Sequence, residues 1–262
     1  MAKQKKENRW YHEKSTLTVF LVLRFLVILT AILSAVRRDY ESVFISCFTL
    51  LLFLLPSILT KRLRVTLPST LECIILLFVF AANILGEINN FYVRVPHWDT
   101  LLHTLNGFNC AAIGFAMVDF LNREERFSIR LSPLYLAVVA FCFSMTVGVC
   151  WEIYEYIADH LFTLDMQKDA IVHSFNTVML DATNDNIAIP VKDIADVIIV
   201  HSDGSQEALG LGGYLDIGIH DTMKDLIVNM IGAIVFSVIG YYYVKQEGKG
   251  KFASRFIPQV EK

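Results

Sequence analysis

The chain reads as an all-α polytopic membrane protein with six transmembrane helices, and three observations predict it. Hydrophobic residues make up 55% of the 262 and charged residues 19%, with a mean hydropathy of +0.49. That is too apolar for an ordinary water-soluble domain. The apolar residues come in blocks, six of which reach the length of about 20 residues that a helix needs to cross hydrocarbon. Lysine and arginine gather in alternate connections between those blocks. The predicted spans are residues 16–36, 42–60, 70–88, 99–121, 132–157 and 222–244.

Composition also excludes some classes. A net charge of −3 and the lack of a basic stretch interleaved with aromatics argue against a nucleic-acid partner. Cys47, Cys73, Cys110, Cys142 and Cys150 all fall inside spans, so they read as small core hydrophobes, not as a disulfide framework or a metal motif. Lys3, Lys5, Lys6 and Arg9 precede the first span as they would a signal peptide. The apolar run is too long for one, Arg24 interrupts it and no small-residue cleavage site follows cleanly, so it reads as an uncleaved helix.

Orientation follows from the same cations. The N-terminal tail carries five, the second and fourth connections hold Lys61, Arg62, Arg64 and Arg123, Arg126, Arg130, and the C-terminal tail holds Lys245, Lys249, Lys251, Arg255 and Lys262. The other connections are poor in them, which puts both termini in the cytoplasm. The expected organisation is a cytoplasmic tail over 1–15, a membrane domain over 16–161 and 220–244, an external insert over 162–219 and a cytoplasmic tail over 245–262. The expected location is the bacterial cytoplasmic (inner) membrane, with the lipid bilayer as the obligatory partner.

The first span is mostly anchor. Its Arg24 is expected to snorkel or to pair with Glu152 or Asp119. The second, ending near Pro56, contains no charged side chain before Lys61 and reads as packing against lipid. The third ends Asn83-x-x-x-Glu87-Ile88-Asn89-Asn90-Phe91, and the fourth starts Asp99-Thr100-x-x-His103 with Asn106 and Gly107 following. The fifth ends Glu152-Ile153-Tyr154-Glu155-Tyr156, and the sixth starts Asp221-Thr222-x-x-Asp225 with Asn229 and Gly232 following. Helices three–four and five–six therefore read as a parallel repeat about an axis normal to the membrane. The Asn positions are offset by one residue between copies, so chance likeness of short motifs stands as the alternative.

The repeat predicts a site. Asn83, Glu87 and Asn90 share one helix face, as do Asp99, His103 and Asn106. Glu152, Glu155 and Asp159 share a third, and Asp221, Asp225 and Asn229 a fourth. Carboxylates and amides do not face lipid, so four stripes at one depth predict a polar pocket opening outward. Between the fifth and sixth spans, the run Asp193–His201, a Ser202-Asp203-Gly204-Ser205 turn and Gln206–Leu209 predict a β-hairpin. Ala170–Asn186 fits neither helix nor strand clearly. Gly210, Gly212, Gly213 and Gly218 make the approach to Asp221 pliable, and the insert reads as a cap over the pocket or a solvated spacer.

Three patterns resemble known families. Pro96-x-Trp98-Asp99-Thr100-x-x-His103-x-x-x-Gly107, then Trp151-Glu152-x-x-Glu155, then Gly213-x-x-Asp216-x-x-x-x-Asp221-Thr222-x-x-Asp225 with Asn229 and Gly232-Ala233 are similar to the YjdF-like family of uncharacterised bacterial inner-membrane proteins. More distantly, Asp-x-x-x-His, a helix-end Glu and Asp-x-x-x-Asn-x-x-Gly resemble VanZ-like membrane proteins of envelope biology. Those carry an arginine shortly before the last Asp, and Gly210–His220 has none. The resemblance implies architecture and names no reaction, so no catalytic residue is assigned.

Three functional readings follow. A divalent-metal site would use Glu87, His103, Glu152, Asp221 and Asp225 and act on envelope or lipid-linked substrates. A solute, ion or proton transporter would use the same acids as a relay, although polar residues look scarce in the inner half. A structural or partner-binding protein would use them as helix caps and tethers.

Overall fold

The structure is a computed structural model that describes residues 2–63, 65–123, 131–162, 164–247, 252–257 and 259–260. Arg64, Arg126, Arg130, Lys249, Lys251 and Lys262 lie outside the described residues, as do the side chains of Lys3, Lys5, Lys6, Arg9 and Lys14. Among the described residues, six helices are long and apolar enough to cross a membrane: Thr16–Val36, Tyr40–Arg62, Ser69–Ile88, Trp98–Asp119, Pro133–Phe162 and Ile219–Lys245. Each coincides with a predicted span to within a few residues. The chain divides into two compact units, residues 1–149 with 225–262, and residues 150–224.

In the first unit α1 (Ala2–Val36) turns at Arg38, whose φ is +61°, into α2 (Tyr40–Leu52). Asp39 caps α2 by accepting from the Ser42 amide at 3.1 Å, and the Ser42 side chain, then this amide, hold its carboxyl below the usual range. The second span breaks into α2 and α3 (Leu55–Leu63). Pro56, in the first turn of α3, lacks the amide that would continue the ladder back into α2. The short strand β1 (Val65–Thr66) follows, then α4 (Ser69–Phe80), which widens into a π-helical stretch over Ala81–Ile88. Asn90 in left-handed conformation starts the one-turn α5 (Phe91–Arg94), and α6 (Trp98–Arg123) comes after. Arg24 is exposed on α1 with its guanidinium 5.7 Å from the Phe20 ring centre.

Two apolar clusters hold this unit. Leu23, Val27, Phe53, Leu76, Val79 and Ile84 join the first three spans. Leu71, Ala111, Phe115, Leu136, Ala140 and Phe236 join α4 and α6 to α7 (Pro133–Phe162) and α8 (Ile219–Lys245). Leu21, Phe25, Ile32, Val138 and Ile234 instead stand exposed, as side chains facing hydrocarbon do.

The second unit contains the ends of α7 and α8 and the segment between them. Strands β2 (Ala170–Val172) and β7 (Tyr214–Asp216), β3 (Phe175–Thr177) and β4 (Ile189–Val191), and β5 (Ile198–Val200) and β6 (Gln206–Ala208) form three separate antiparallel pairs. The last is the expected hairpin, with Ile198 opposite Ala208 and Gly204 at φ +85° in its turn. Ala170–Asn186 resolves into two strands and a loop built on Asp181. The terminal strand β8 (Gln259–Val260) pairs with β1 in the first unit.

Candidate functional site

The site starts from two glycines. On α6, Asp99, His103 and Asn106 lie on one face with Gly107; on α8, Asp225, Asn229 and Gly232 do the same. A Cβ on Gly107 would land on the carbonyl oxygen of Asn229, and one on Gly232 would land on that of Thr104. Each glycine therefore meets the residue three positions before the other. The two backbones touch there, as small residues permit in membrane helices. Reciprocal contact of this kind is what an approximate two-fold axis between α6 and α8 produces. Helix α7 closes the third side: the Ser144 hydroxyl donates to the Gly107 carbonyl at 2.8 Å, and a Cβ on Gly148 would meet the Asn229 amide nitrogen at 2.7 Å.

That crossing brings side chains together. His103 Nε2 lies 3.5 Å from Asp99 Oδ1 and 4.0 Å from Asp225 Oδ2, and one ligand atom from each residue falls within 4.8 Å of the others. The side chains are 9%, 25% and 2% exposed for His103, Asp99 and Asp225, so the group is open only on the Asp99 side. One turn further along, the Asn106 amide donates to Asn229 Oδ1 at 3.2 Å, the Cys110 thiol donates to Asn106 Oδ1, and the Asn229 amide faces the Met145 sulfur at 3.7 Å. Two carboxylates in such a setting call for positive charge, which a protonated imidazole or a bound cation supplies. Ligands around a small divalent ion at about 2.0–2.2 Å sit roughly 3–3.5 Å apart. The His103–Asp99 separation falls at that range, and the His103–Asp225 separation lies about half an ångström above it.

The other sequence-predicted residues have surroundings of their own. Glu87 is exposed at the end of the π-helical stretch, and Asn83 donates to the Val79 carbonyl of its own helix at 3.0 Å. Glu152, Glu155 and Asp221 belong to the second unit and are buried. Glu155 accepts from the Trp151 indole at 2.9 Å. Asp221 accepts from the Lys168 backbone amide at 2.9 Å and the Lys224 ammonium at 2.6 Å. Asp159 accepts from the backbone amides of Met166 and Gln167. Both aspartates thus tether the segment that leaves α7. Asp99, read from sequence as a pocket residue but not as a ligand, is one of the converging donors. Sequence reasoning missed Ser144, Met145, Gly148 and the buried Asn109, whose amide atoms have no hydrogen-bond partner among the described residues. Asn109 follows Asn106 by three positions and could have been noticed; small residues on the fifth span are too common to single out.

Residues 18–246 match the family described as "Predicted membrane protein (DUF2238)". The chain belongs to this family. The motifs from Pro96 to Ala233 that carry the YjdF-like resemblance lie within the matched residues. The chain is also similar to a protein of Thermotoga maritima described as "Uncharacterized protein", 26% identical over 106 residues, which is 40% of this chain and 53% of that one. The chain thus spans about half the length of the curated relative it matches. No solved structure matches it.

Proposed function

We propose that this family member is a multi-pass protein of the bacterial cytoplasmic membrane, with both termini cytoplasmic, whose working centre is a divalent-metal site formed by Asp99, His103 and Asp225. The supporting observation is the convergence of three ligand atoms from two helices within 4.8 Å. Three protein ligands leave a coordination position for water or substrate, as catalytic sites do and closed structural sites do not. A cation there would polarise a phosphoryl or carbonyl oxygen and generate a bound hydroxide. That chemistry suits hydrolysis or transfer on a lipid-linked or envelope substrate reaching the site from outside. The Asn106–Asn229 pair would orient the neighbouring polar groups.

Purified protein should carry about one divalent ion per chain, and His103→Ala and Asp225→Ala should each lose it while retaining the helical signal in circular dichroism. Elemental analysis that finds no bound metal in folded, unchelated protein refutes this reading. A second reading, a proton or solute pathway, is favoured by His103 lying between two carboxylates with hydrogen-bonded amides one turn on. It requires flux in proteoliposomes that Asp225→Asn abolishes. If neither metal nor flux is found and the substitutions only lower thermal stability, the side chains are structural.

A further inference from the structure

A groove of about 360 Å³ runs between the first turns of α7 and the last turns of α8. Leu134, Val138 and Phe141 line one wall, and Ser237 and Tyr241 stand on the other. Leu134 and Val138 are exposed, so the groove opens sideways at the surface of two membrane-length helices. A purely apolar slot there would be filled by any passing lipid tail. Two features make this one selective. Ser237 lines the groove, and its hydroxyl is buried with no hydrogen-bond partner among the described residues. Such an oxygen in a dry setting costs free energy until a ligand atom meets it. At the mouth, the Lys245 ammonium lies 5.5 Å from the centre of the Tyr241 ring.

The mouth also favours an anion. Consecutive spans run in opposite directions, so α7 begins at the end where α8 finishes. Ser132 caps α7 by accepting from the Tyr135 amide at 3.2 Å, and the first-turn amides of this 30-residue helix form its positive pole. Tyr241 stands one turn, about 6 Å, beyond Ser237, comparable to the reach from a glycerolipid's phosphate to its ester carbonyls.

We propose that this groove is a binding site for one anionic phospholipid. Its acyl chain lies along Leu134, Val138 and Phe141. An ester carbonyl accepts from the Ser237 hydroxyl, and the phosphate is held by Lys245 and the start of α7. The site is separate from the Asp99–His103–Asp225 group and does not depend on it.

The test is native mass spectrometry of the full chain released from nanodiscs of equal parts phosphatidylglycerol and phosphatidylcholine. About one phosphatidylglycerol should remain per chain in preference to phosphatidylcholine. Val138→Trp, at an exposed groove position, should remove it by filling the space, and Lys245→Glu should weaken retention at least about tenfold. Melting temperatures report that both variants fold, and should Val138→Trp not fold, the exposed Lys245→Glu decides. Equal retention of the two lipids, retention unaffected by Lys245→Glu, or a lipid-free dimer covering the groove would overturn the proposal.

Discussion

Asp225 is almost wholly buried, on a helix whose backbone meets α6 at Gly107 and Gly232. A methyl group at either glycine meets a main-chain carbonyl on the facing helix, and a backbone cannot rotate out of the way as a side chain can. Gly107→Ala and Gly232→Ala should therefore push α6 and α8 apart at a cost of about 1–3 kcal/mol or more. Thermal unfolding in detergent measures that loss. The same separation is readable without any metal: in a background lacking native cysteines, a His103→Cys, Asp225→Cys pair should be bridged by a short thiol-reactive cross-linker, since the native side-chain tips lie 4.0 Å apart. Adding Gly232→Ala should suppress the cross-link. Unchanged cross-linking would show that the crossing tolerates a side chain and that the glycines do not position the site.

Among the elements, the segment after α7 hangs on two carboxylates. Asp159 takes the amides of Met166 and Gln167, and Asp221 takes that of Lys168. Charge-assisted bonds of this kind are worth about 1.5–3 kcal/mol each. Asp159→Ala and Asp221→Ala should leave the helices intact and speed limited proteolysis between residues 164 and 169. A pH effect belongs to the loop on Asp181. Bonds from the Thr183 hydroxyl and the amides of Ile187 and Thr183 hold its carboxyl below the ordinary value. A lowered carboxyl contributes order that is present above its unfolded value and lost as pH falls through the folded one. Amide hydrogen exchange at Thr183 and Ile187, corrected for intrinsic rates, should therefore show protection at neutral pH that disappears in acid, and constant protection would contradict it.

For the molecule as a whole, the distribution of cations predicts topology. Cysteine introduced at Lys61 should resist a membrane-impermeant maleimide added to intact cells, while cysteine at Asn176 or Gln206 should react. The reverse pattern would turn the proposed site towards the cytoplasm and exclude an envelope substrate. The six spans were legible in the chain because transfer of about 20 apolar residues into hydrocarbon is a local sum over sequence. The hairpin at Ser202–Ser205 was legible because Asp-Gly suits the turn. The interruption near Pro56 was legible because proline lacks a backbone donor, whereas the π-helical stretch at Ala81–Ile88 was not placed, since it depends on how the backbone is packed as well as on composition.

Residue spacing alone grouped the acids of four helix faces by depth, and depth does not say which faces meet. Only the tertiary structure joined Asp99 and His103 to Asp225, because two backbones touch at Gly107 and Gly232 and fix the rotation of both helices. It likewise gave Asp159 and Asp221 to a loop's amides, a choice among hydrogen-bond partners that sequence distance leaves open. Membrane insertion is written in hydropathy; convergence of donors is a property of helix crossings.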